Sequence, residues 1–180
     1  MKLANVVKKS LEGRGFCFTW NKDQTLFSYK HACSIGLLSI DIRVFGDFLS
    51  VNIFPGHVAP ETRRLPAMEW VLRFNARAPQ GVYHLNPDDG VMHFELVNRM
   101  SGRPTTEQVQ TLVEYAVAGV CWSAPSLQEV LFHEVDPKES LASIEVGEVA
   151  DDDAEDLGFS DEEFAAMMDD LTRHLDEADG

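Results

Sequence analysis

The clearest pattern in the chain is the strict alternation of apolar and polar residues over 38–44 and 49–53, which is typical of strands with one buried face. Gly46-Asp47 lies between the two segments and is a good two-residue turn for an antiparallel hairpin. In the register that this turn sets, apolar residues pair with apolar residues and polar with polar. The predicted apolar pairs are Val44–Leu49, Ile42–Val51 and Ile40–Ile53.

Other segments show the same period of two. Tyr83 and Leu85 pair with Phe94 and Met92 across a turn at 87–90, which predicts a second hairpin. Residues 16–20 alternate as a further strand. Residues 26–30 are a less regular candidate for another.

Three segments instead follow the helical period of 3.6. Residues 1–12 place apolar side chains three and four apart and end at Gly13, while residues 65–77 contain Pro66 in the first turn, where proline is tolerated. A last helix begins at Thr105, whose spacing to Gln108 is that of a capping box, and its apolar stripe runs to residue 120. Residues 126–132 add a further turn or two. Residues 1–133 are therefore predicted to form an α+β domain in which helices pack on an antiparallel sheet.

The charge is distributed unevenly between this domain and the remainder of the chain. The sequence has 30 Asp and Glu against 15 Lys and Arg, a formal net charge of −15. Residues 134–180 contain 18 of the acidic residues and two of the basic ones, so residues 1–133 are nearly neutral. Residues 134–158, which are acidic and poor in aromatic residues, are predicted to be a disordered linker.

Residues 159–180 are predicted to contain an acidic amphipathic helix. Ser160 and Glu163 have capping-box spacing, and five apolar residues follow on one helical face. These residues are Phe164, Met167, Met168, Leu171 and Leu175. Because an isolated helix of this length is marginal in water, we expect the face to pack on its own domain, on a dimer mate or on another protein.

The composition indicates a cytoplasmic protein with reduced thiols. Cys17, Cys33 and Cys121 are odd in number and form no CxxC pair, which favours structural, buried cysteines over a disulfide framework. The chain has no leader pattern and no apolar run of about 20 residues, so neither secretion nor a membrane helix is predicted. No nucleophile elbow or complete catalytic motif occurs, and we predict that the protein is not an enzyme.

Two groups of residues have the chemistry of cation ligands. His84 and His93 face each other across the second hairpin with Glu95 on the same face, a set that can bind a transition metal. A solvated pair of strand histidines is the simpler interpretation, because no further ligand is visible. The acidic run 151–156 does not fit an EF-hand loop, since counting from Asp153 places Phe164 at the bidentate position. We predict no bound metal and no cofactor.

The domain has a modest basic character. It comes from six arginines, which are Arg63, Arg64, Arg73, Arg77, Arg99 and Arg103. Arg73 and Arg77 are four residues apart and so share a helix face. They form either a solvated surface or a patch for an acidic partner, including this chain's own tail. Nucleic acid is not an expected partner, because the tail would compete for the patch.

The order and spacing of several of these signatures resemble the YbjN family, which is catalogued as provisional bacterial sensory-transduction regulators and is related in fold to type III secretion chaperones. The signatures are the Phe45-Gly46-Asp47 turn, a helix ending at Asn75, the strand Gly81-Val82-Tyr83-His84-Leu85, Asp89-Gly90 before Met92-His93-Phe94, and the helix opening Thr105 to Gln108. The resemblance covers residues 3–132. It implies the order α-β-β-β-α-β-β-α, a domain that is often dimeric and binds proteins, and no established catalytic residues.

The combined prediction is a non-enzymatic regulator or chaperone-like adaptor, homodimeric, that binds a protein client. Its tail would cover the client surface, with the Phe164–Leu175 face as the apolar anchor and Arg73 and Arg77 meeting tail carboxylates. Two alternatives stay open. One is a metal- or small-ligand-binding protein that uses His84, His93 and Glu95, and the other is an acidic mimic of nucleic acid.

Overall fold

The computed structural model of the chain describes residues 2–100 and 102–144. The predicted tail helix and most of the predicted linker lie outside these residues. The elements in chain order are α1 (Leu3–Gly13), β1 (Phe18–Trp20), β2 (Leu26–Cys33), β3 (Gly36–Phe45), β4 (Phe48–Phe54), a 3-10 turn (Glu61–Arg63), α2 (Arg64–Asn75), β5 (Val82–Leu85), β6 (Met92–Arg99), α3 (Thr106–Phe132) and α4 (Pro137–Ala142).

The six strands form one antiparallel sheet in the order β1-β2-β3-β4-β6-β5. The predicted α+β class is therefore confirmed. Four strands precede α2, one more than the order implied by the resemblance. One of the four, β1, is short and pairs with β2 through only three residues. Both predicted hairpins have the predicted register, including Ile42 opposite Val51 and Tyr83 opposite Phe94. This agreement follows from strand periodicity, since a slip by one residue would turn every apolar side chain to solvent.

The core lies between one face of the sheet, called here the inner face, and helices α2 and α3. Trp70 of α2 is fully buried, and its indole nitrogen donates to Ser126 Oγ of α3 at 2.9 Å. The Tyr83 hydroxyl of β5 bonds Ser123 Oγ of α3 at 2.8 Å. Burial raises the pKa of Tyr83, because ionisation would place a phenolate in this apolar interior.

Helices α2 and α3 differ from the sequence prediction. Helix α2 buries Ala67, Trp70, Val71 and Phe74, while two apolar residues of the predicted stripe, Leu65 and Leu72, are exposed. Helix α3 is continuous from Thr106 to Phe132 and includes Pro125, whereas the sequence pattern predicted an apolar stripe to residue 120 and a further turn or two over 126–132. Its capping box at Thr105 and Gln108 is confirmed.

Helix α4 lies in the segment that was predicted to be a disordered linker. The Asp136 side chain caps it by accepting from the amide of Lys138 at 2.8 Å, and Leu141 is buried. Ser140 Oγ also donates to the Ser126 carbonyl of α3 at 2.7 Å. The folded part of the chain therefore extends beyond residue 133, because these few apolar and hydroxyl groups find partners on α2 and α3. No helix within the described residues is both long enough and apolar enough to cross a membrane.

Candidate functional site

The second face of the sheet, called here the outer face, is not covered by any described helix. Helices α2 and α3 pack on the inner face, and α1 and α4 pack against those helices. An antiparallel sheet can leave one face in water, and such a face is usually polar. The outer face departs from this expectation because it combines an ordered polar network with exposed aromatic residues.

The polar network lies in the middle of the outer face and crosses three strands. Asn52 Nδ2 donates to Ser50 Oγ at 2.7 Å, and Ser50 Oγ donates to Glu95 Oε1 at 2.9 Å. Glu95 Oε2 lies 3.2 Å from His84 Nε2. Asn52 and Ser50 are buried, with 4% and 1% of their surface exposed. Because each side chain has a partner, the network holds the polar groups of β4, β6 and β5 in fixed positions.

The predicted pair of histidines lies at one end of this network. The His84 and His93 rings are stacked, with centroids 4.7 Å apart and an angle of 17° between planes, and His93 also stacks on Phe54 at 5.2 Å. Stacked rings point their nitrogens along parallel directions and not at a common point between them. No group of three or more His, Cys, Asp and Glu side chains with the arrangement of a metal site occurs within 2–100 and 102–144. The structure thus supplies no support for the metal-binding alternative.

The surroundings of His93 favour its neutral form. Burial lowers its pKa first, and the nearby His84 and Arg43 lower it further, while Glu95 acts in the opposite direction. A neutral His93 fits its position between the Phe54 ring and the His84 ring.

Apolar side chains form a line across the outer face next to the network, called here the apolar patch. It runs over four neighbouring strands and consists of Phe45 (β3), Phe48 (β4), Val97 (β6) and Val82 (β5). The rings of Phe45 and Phe48 are stacked 5.5 Å apart. The exposed fractions of the four residues are 50%, 40%, 47% and 38%. Contiguous exposed apolar surface of this kind is typical of an interaction site.

Two arginines border the apolar patch. Arg99 of β6 is paired across the sheet with Phe48 of β4. Arg43 of β3 is paired with Ser50 of β4, and Ser50 is in turn paired with Val97 of β6. Both are exposed, and neither forms an ion pair with another described residue. Their guanidinium groups are therefore available to an acidic partner. Arg99 belonged to the predicted basic set, and Arg43 did not.

Most of the other predicted arginines have partners inside the domain. Arg63 donates to the Val130 carbonyl at the end of α3 at 2.6 and 2.8 Å, and Arg64 donates to the Pro87 and Asp88 carbonyls. Arg73 pairs with Glu69 at 2.7 Å on the surface of α2. Arg77 lies in the turn beyond the end of α2 at Asn75, so the two predicted contact arginines are near each other but not on one helix.

The helix side of the domain has a second exposed apolar surface, called here the α2 stripe. It consists of Leu65, Met68 and Leu72, with exposed fractions of 77%, 37% and 70%. An open groove of about 380 Å³ adjoins it. The charged residues that line this groove are Arg63, Glu69, Glu134 and Asp136, so carboxylates outnumber cations there.

The edge of the sheet at β5 is closed by a side chain. Asn75, the last residue of α2, accepts from the Tyr83 amide at 2.8 Å and donates to the Tyr83 carbonyl at 2.9 Å. These two bonds occupy backbone groups that an added strand would need. This edge is thus unsuited to partner binding by strand addition, and a partner would contact the outer face instead.

The cysteines do not form a reactive site together. Cys121 is buried, Cys33 is half-buried and Cys17 is exposed. The prediction of a buried residue is wrong for Cys17, because it lies just before β1 at the sheet edge and is not covered by a helix.

The sequence predicted several of these site residues and missed others. It identified His84, His93, Glu95, Arg73 and Arg77 but not Phe45, Phe48, Val97 or Arg43. A signal for Phe45 and Phe48 was present in the sequence, because both are aromatic residues at positions on the otherwise polar face of the predicted hairpin. The predicted anchors Phe164, Met167, Met168, Leu171 and Leu175 lie outside the described residues.

Comparison with known proteins identifies the fold. No family model matches the sequence, and no curated protein matches it. The structure is similar to that of YbjN from E. coli, provisionally described as a transcription regulator, with a TM-score of 0.52 and 12% identity over 72% of this chain and 90% of that chain. An uncharacterized protein from Methanothermobacter thermautotrophicus matches at a TM-score of 0.40 and 16% identity, over 72% of this chain and 99% of that one. The chain therefore has a YbjN-like fold.

Proposed function

We propose that the protein is a non-enzymatic, chaperone-like adaptor or regulator that binds a segment of a client protein on the outer face of its sheet. The observation that supports this most directly is the apolar patch beside an ordered polar network on a face that no described helix covers. The patch supplies apolar area, and the fixed polar groups of Glu95 and His84 supply orientation. The YbjN-like fold agrees with a regulatory role.

The expected client segment is apolar with acidic flanks. Phe45, Phe48 and Val97 would contact its apolar side chains, while Arg43 and Arg99 would attract its carboxylates. Electrostatic attraction of this kind speeds association and weakens with salt, whereas the aromatic contacts provide most of the affinity.

We also propose that the protein is a homodimer that uses the α2 stripe. Leu65 and Leu72 are too exposed to stabilise a monomer, and they lie on a continuous helical face. This surface is on the side of the domain opposite the outer face. A dimer through α2 would leave both outer faces accessible to clients.

The test is affinity capture from the native cell, with three forms of the full-length protein compared by quantitative mass spectrometry. These are the unaltered protein, Phe48→Asp on the outer face and Leu72→Asp on the α2 stripe. We expect a stoichiometric partner that Phe48→Asp reduces at least tenfold and Leu72→Asp retains. Circular dichroism confirms that both variants are folded. A partner lost only with Leu72→Asp, or retained by both variants, contradicts the proposal.

A further inference from the structure

We infer that the open groove beside the α2 stripe receives an arginine side chain, Arg73, from a second copy of this chain. The inference rests on the proposed dimer through the α2 stripe and assigns its arrangement, in which the two α2 helices pack antiparallel about a two-fold axis. Each copy then supplies a groove and also the arginine that enters the groove of the other copy. Charge, position along α2 and the contacts of Arg73 support this arrangement.

The groove carries an excess of negative charge. Its charged lining residues are three carboxylates, Glu69, Glu134 and Asp136, and one cation, Arg63. The Arg63 guanidinium is already engaged, since it donates to the Val130 carbonyl at 2.6 and 2.8 Å. Glu134 is exposed and forms no ion pair with another described residue. The groove therefore attracts a cationic side chain.

The charged residues around the groove leave this excess in place. Lys138 and Glu139 of α4 are adjacent in sequence and both exposed, so together they add no net charge. Glu61, in the 3-10 turn before α2, adds a further carboxylate. The Arg64 guanidinium at the start of α2 is engaged elsewhere, because it donates to two carbonyls in the turn between β5 and β6.

The opposite end of α2 has the complementary charge. Arg73 lies in the last turn of α2, and Arg77 follows just beyond it. Arg77 is exposed and forms no ion pair with another described residue. Arg73 contacts Glu69 Oε1 through Nε at 2.8 Å and through Nη2 at 2.7 Å, and its Nη1 group has no acceptor among the described residues. The α2 surface thus has an acidic half toward its N-terminus and a basic half toward its C-terminus.

The positions of these groups along α2 suit a two-fold axis. At 3.6 residues per turn, Arg73 projects from α2 within about 40° of Pro66 and Glu69, which line the groove. Along the helix, Arg73 lies about 7 Å beyond the midpoint between Leu65 and Leu72, and Pro66 lies about 4 Å before it. A two-fold axis through this midpoint, perpendicular to both helices, reverses the helix direction but keeps the side. Arg73 of the second copy therefore lies beside the groove.

The same axis brings the apolar residues of the α2 stripe together. Leu65 of each copy packs on Leu72 of the other, and the two Met68 side chains meet near the axis, so that the exposed surface of all three residues is covered. Glu69 also lies near the axis, where Arg73 of its own chain balances its charge. The apolar contacts supply the buried area, and the pairing of charges in the groove sets the direction and register of the helices.

The experiment measures the dimer dissociation constant of the full-length protein by sedimentation equilibrium at low salt. Arg73→Glu and Glu134→Arg are purified separately, and each should raise the constant at least about tenfold, because like charges then meet in both grooves. An equimolar mixture of the two variants should restore it to within about threefold of the unaltered protein, since each groove of the heterodimer joins an arginine to a glutamate. A mixture that associates no better than either variant alone would overturn the inference.

Two further variants control for folding and for net charge. Arg73→Glu combined with Glu134→Arg in one chain should dimerise like the unaltered protein, and circular dichroism confirms that each single variant is folded. Arg103→Glu makes the same charge change at an exposed position in the loop before α3 and should leave the dissociation constant within about twofold. An equal loss of association with Arg103→Glu would assign the effect to net charge and overturn the inference.

Failure of this inference is distinguishable from failure of the proposed dimer. If Leu72→Asp dissociates the dimer and the mixture of charge variants does not restore it, the dimer through the α2 stripe stands and the pairing in the groove is wrong. A dimer that Leu72→Asp leaves intact, or an unaltered protein that is monomeric, refutes the proposed dimer and this inference together. Client capture on the outer face is measured separately with Phe48→Asp and is decided by neither result.

Discussion

Replacing Asn75 by alanine tests how the exposed edge of the sheet is protected. The Asn75 side chain makes two hydrogen bonds to the backbone of Tyr83, at 2.8 and 2.9 Å, and both are partly buried. A hydrogen bond of this kind contributes about 0.5–1.5 kcal/mol, so the loss is about 1–3 kcal/mol. Alanine has the higher helix propensity, which offsets about half a kcal/mol of this loss in unfolding free energy at the end of α2. We therefore expect a net loss of about 1.5 kcal/mol, since two backbone groups of β5 are left without partners.

The assay is thermal unfolding of the full-length protein followed by circular dichroism. For a protein of this size the expected loss lowers Tm by about 3–6 °C. Asn98→Ala is the matched control, because Asn98 is exposed on β6, and its Tm should stay within about 1 °C. The variant should also self-associate at high concentration, because the edge of β5 becomes free to pair. An Asn75→Ala protein with the stability of Asn98→Ala would refute the reasoning.

Three further predictions concern a glycine, pH and oligomeric state. Gly81→Ala should destabilise the protein by about 2–4 kcal/mol in urea unfolding, because Gly81 has φ +73° and a new Cβ would lie 2.1 Å from Phe94 Cζ. Gly13→Ala is the control, since Gly13 has open space around it and its replacement should change stability little; equal effects of the two substitutions would contradict this prediction. Stability should fall as the pH drops below 6.5, because the unfolded chain then takes up protons that His31, His57 and His93, whose pKa values burial lowers, do not. His93→Gln should remove only the share of this dependence that comes from His93, and an unchanged slope would show that His93 does not contribute. Leu72→Asp should convert a dimer to a monomer in sedimentation, whereas Val97→Asp should not, and the reverse result would move the dimer interface to the outer face.

The two hairpins could be predicted because their information is local. Alternating residues and a turn of fixed length determine which residues pair, and the observed register of β3 with β4 is the predicted one. The buried side of helix α2 was harder to predict, because the helix has large apolar residues on both sides. Trp70 and Phe74 lie on one side, and Leu65 and Leu72 lie on the other. Only the packed sheet determines which side is buried. Helix α4 was missed because its acidic neighbours dominate the composition, and its burial depends on contacts to α2 and α3.

The candidate site was predictable in part for the same reason. His84, His93 and Glu95 follow from the register of one hairpin, and all three lie where the sequence predicted. The hydrogen bond from Ser50 to Glu95 joins β4 to β6 across 45 residues of sequence, and no local pattern indicates it. The roles of the arginines also depend on tertiary contacts, since Arg63 and Arg64 bond backbone carbonyls far away in sequence.

The most direct test of the account is methyl NMR of the full-length protein titrated with the partner recovered by capture. Val97 reports on the outer face and Leu72 on the α2 stripe, and both side chains are exposed. The account predicts that the Val97 methyl signals shift with saturation, while those of Leu72 do not. Saturable shifts of Leu72 with Val97 unchanged would contradict it and place client binding on the helix side.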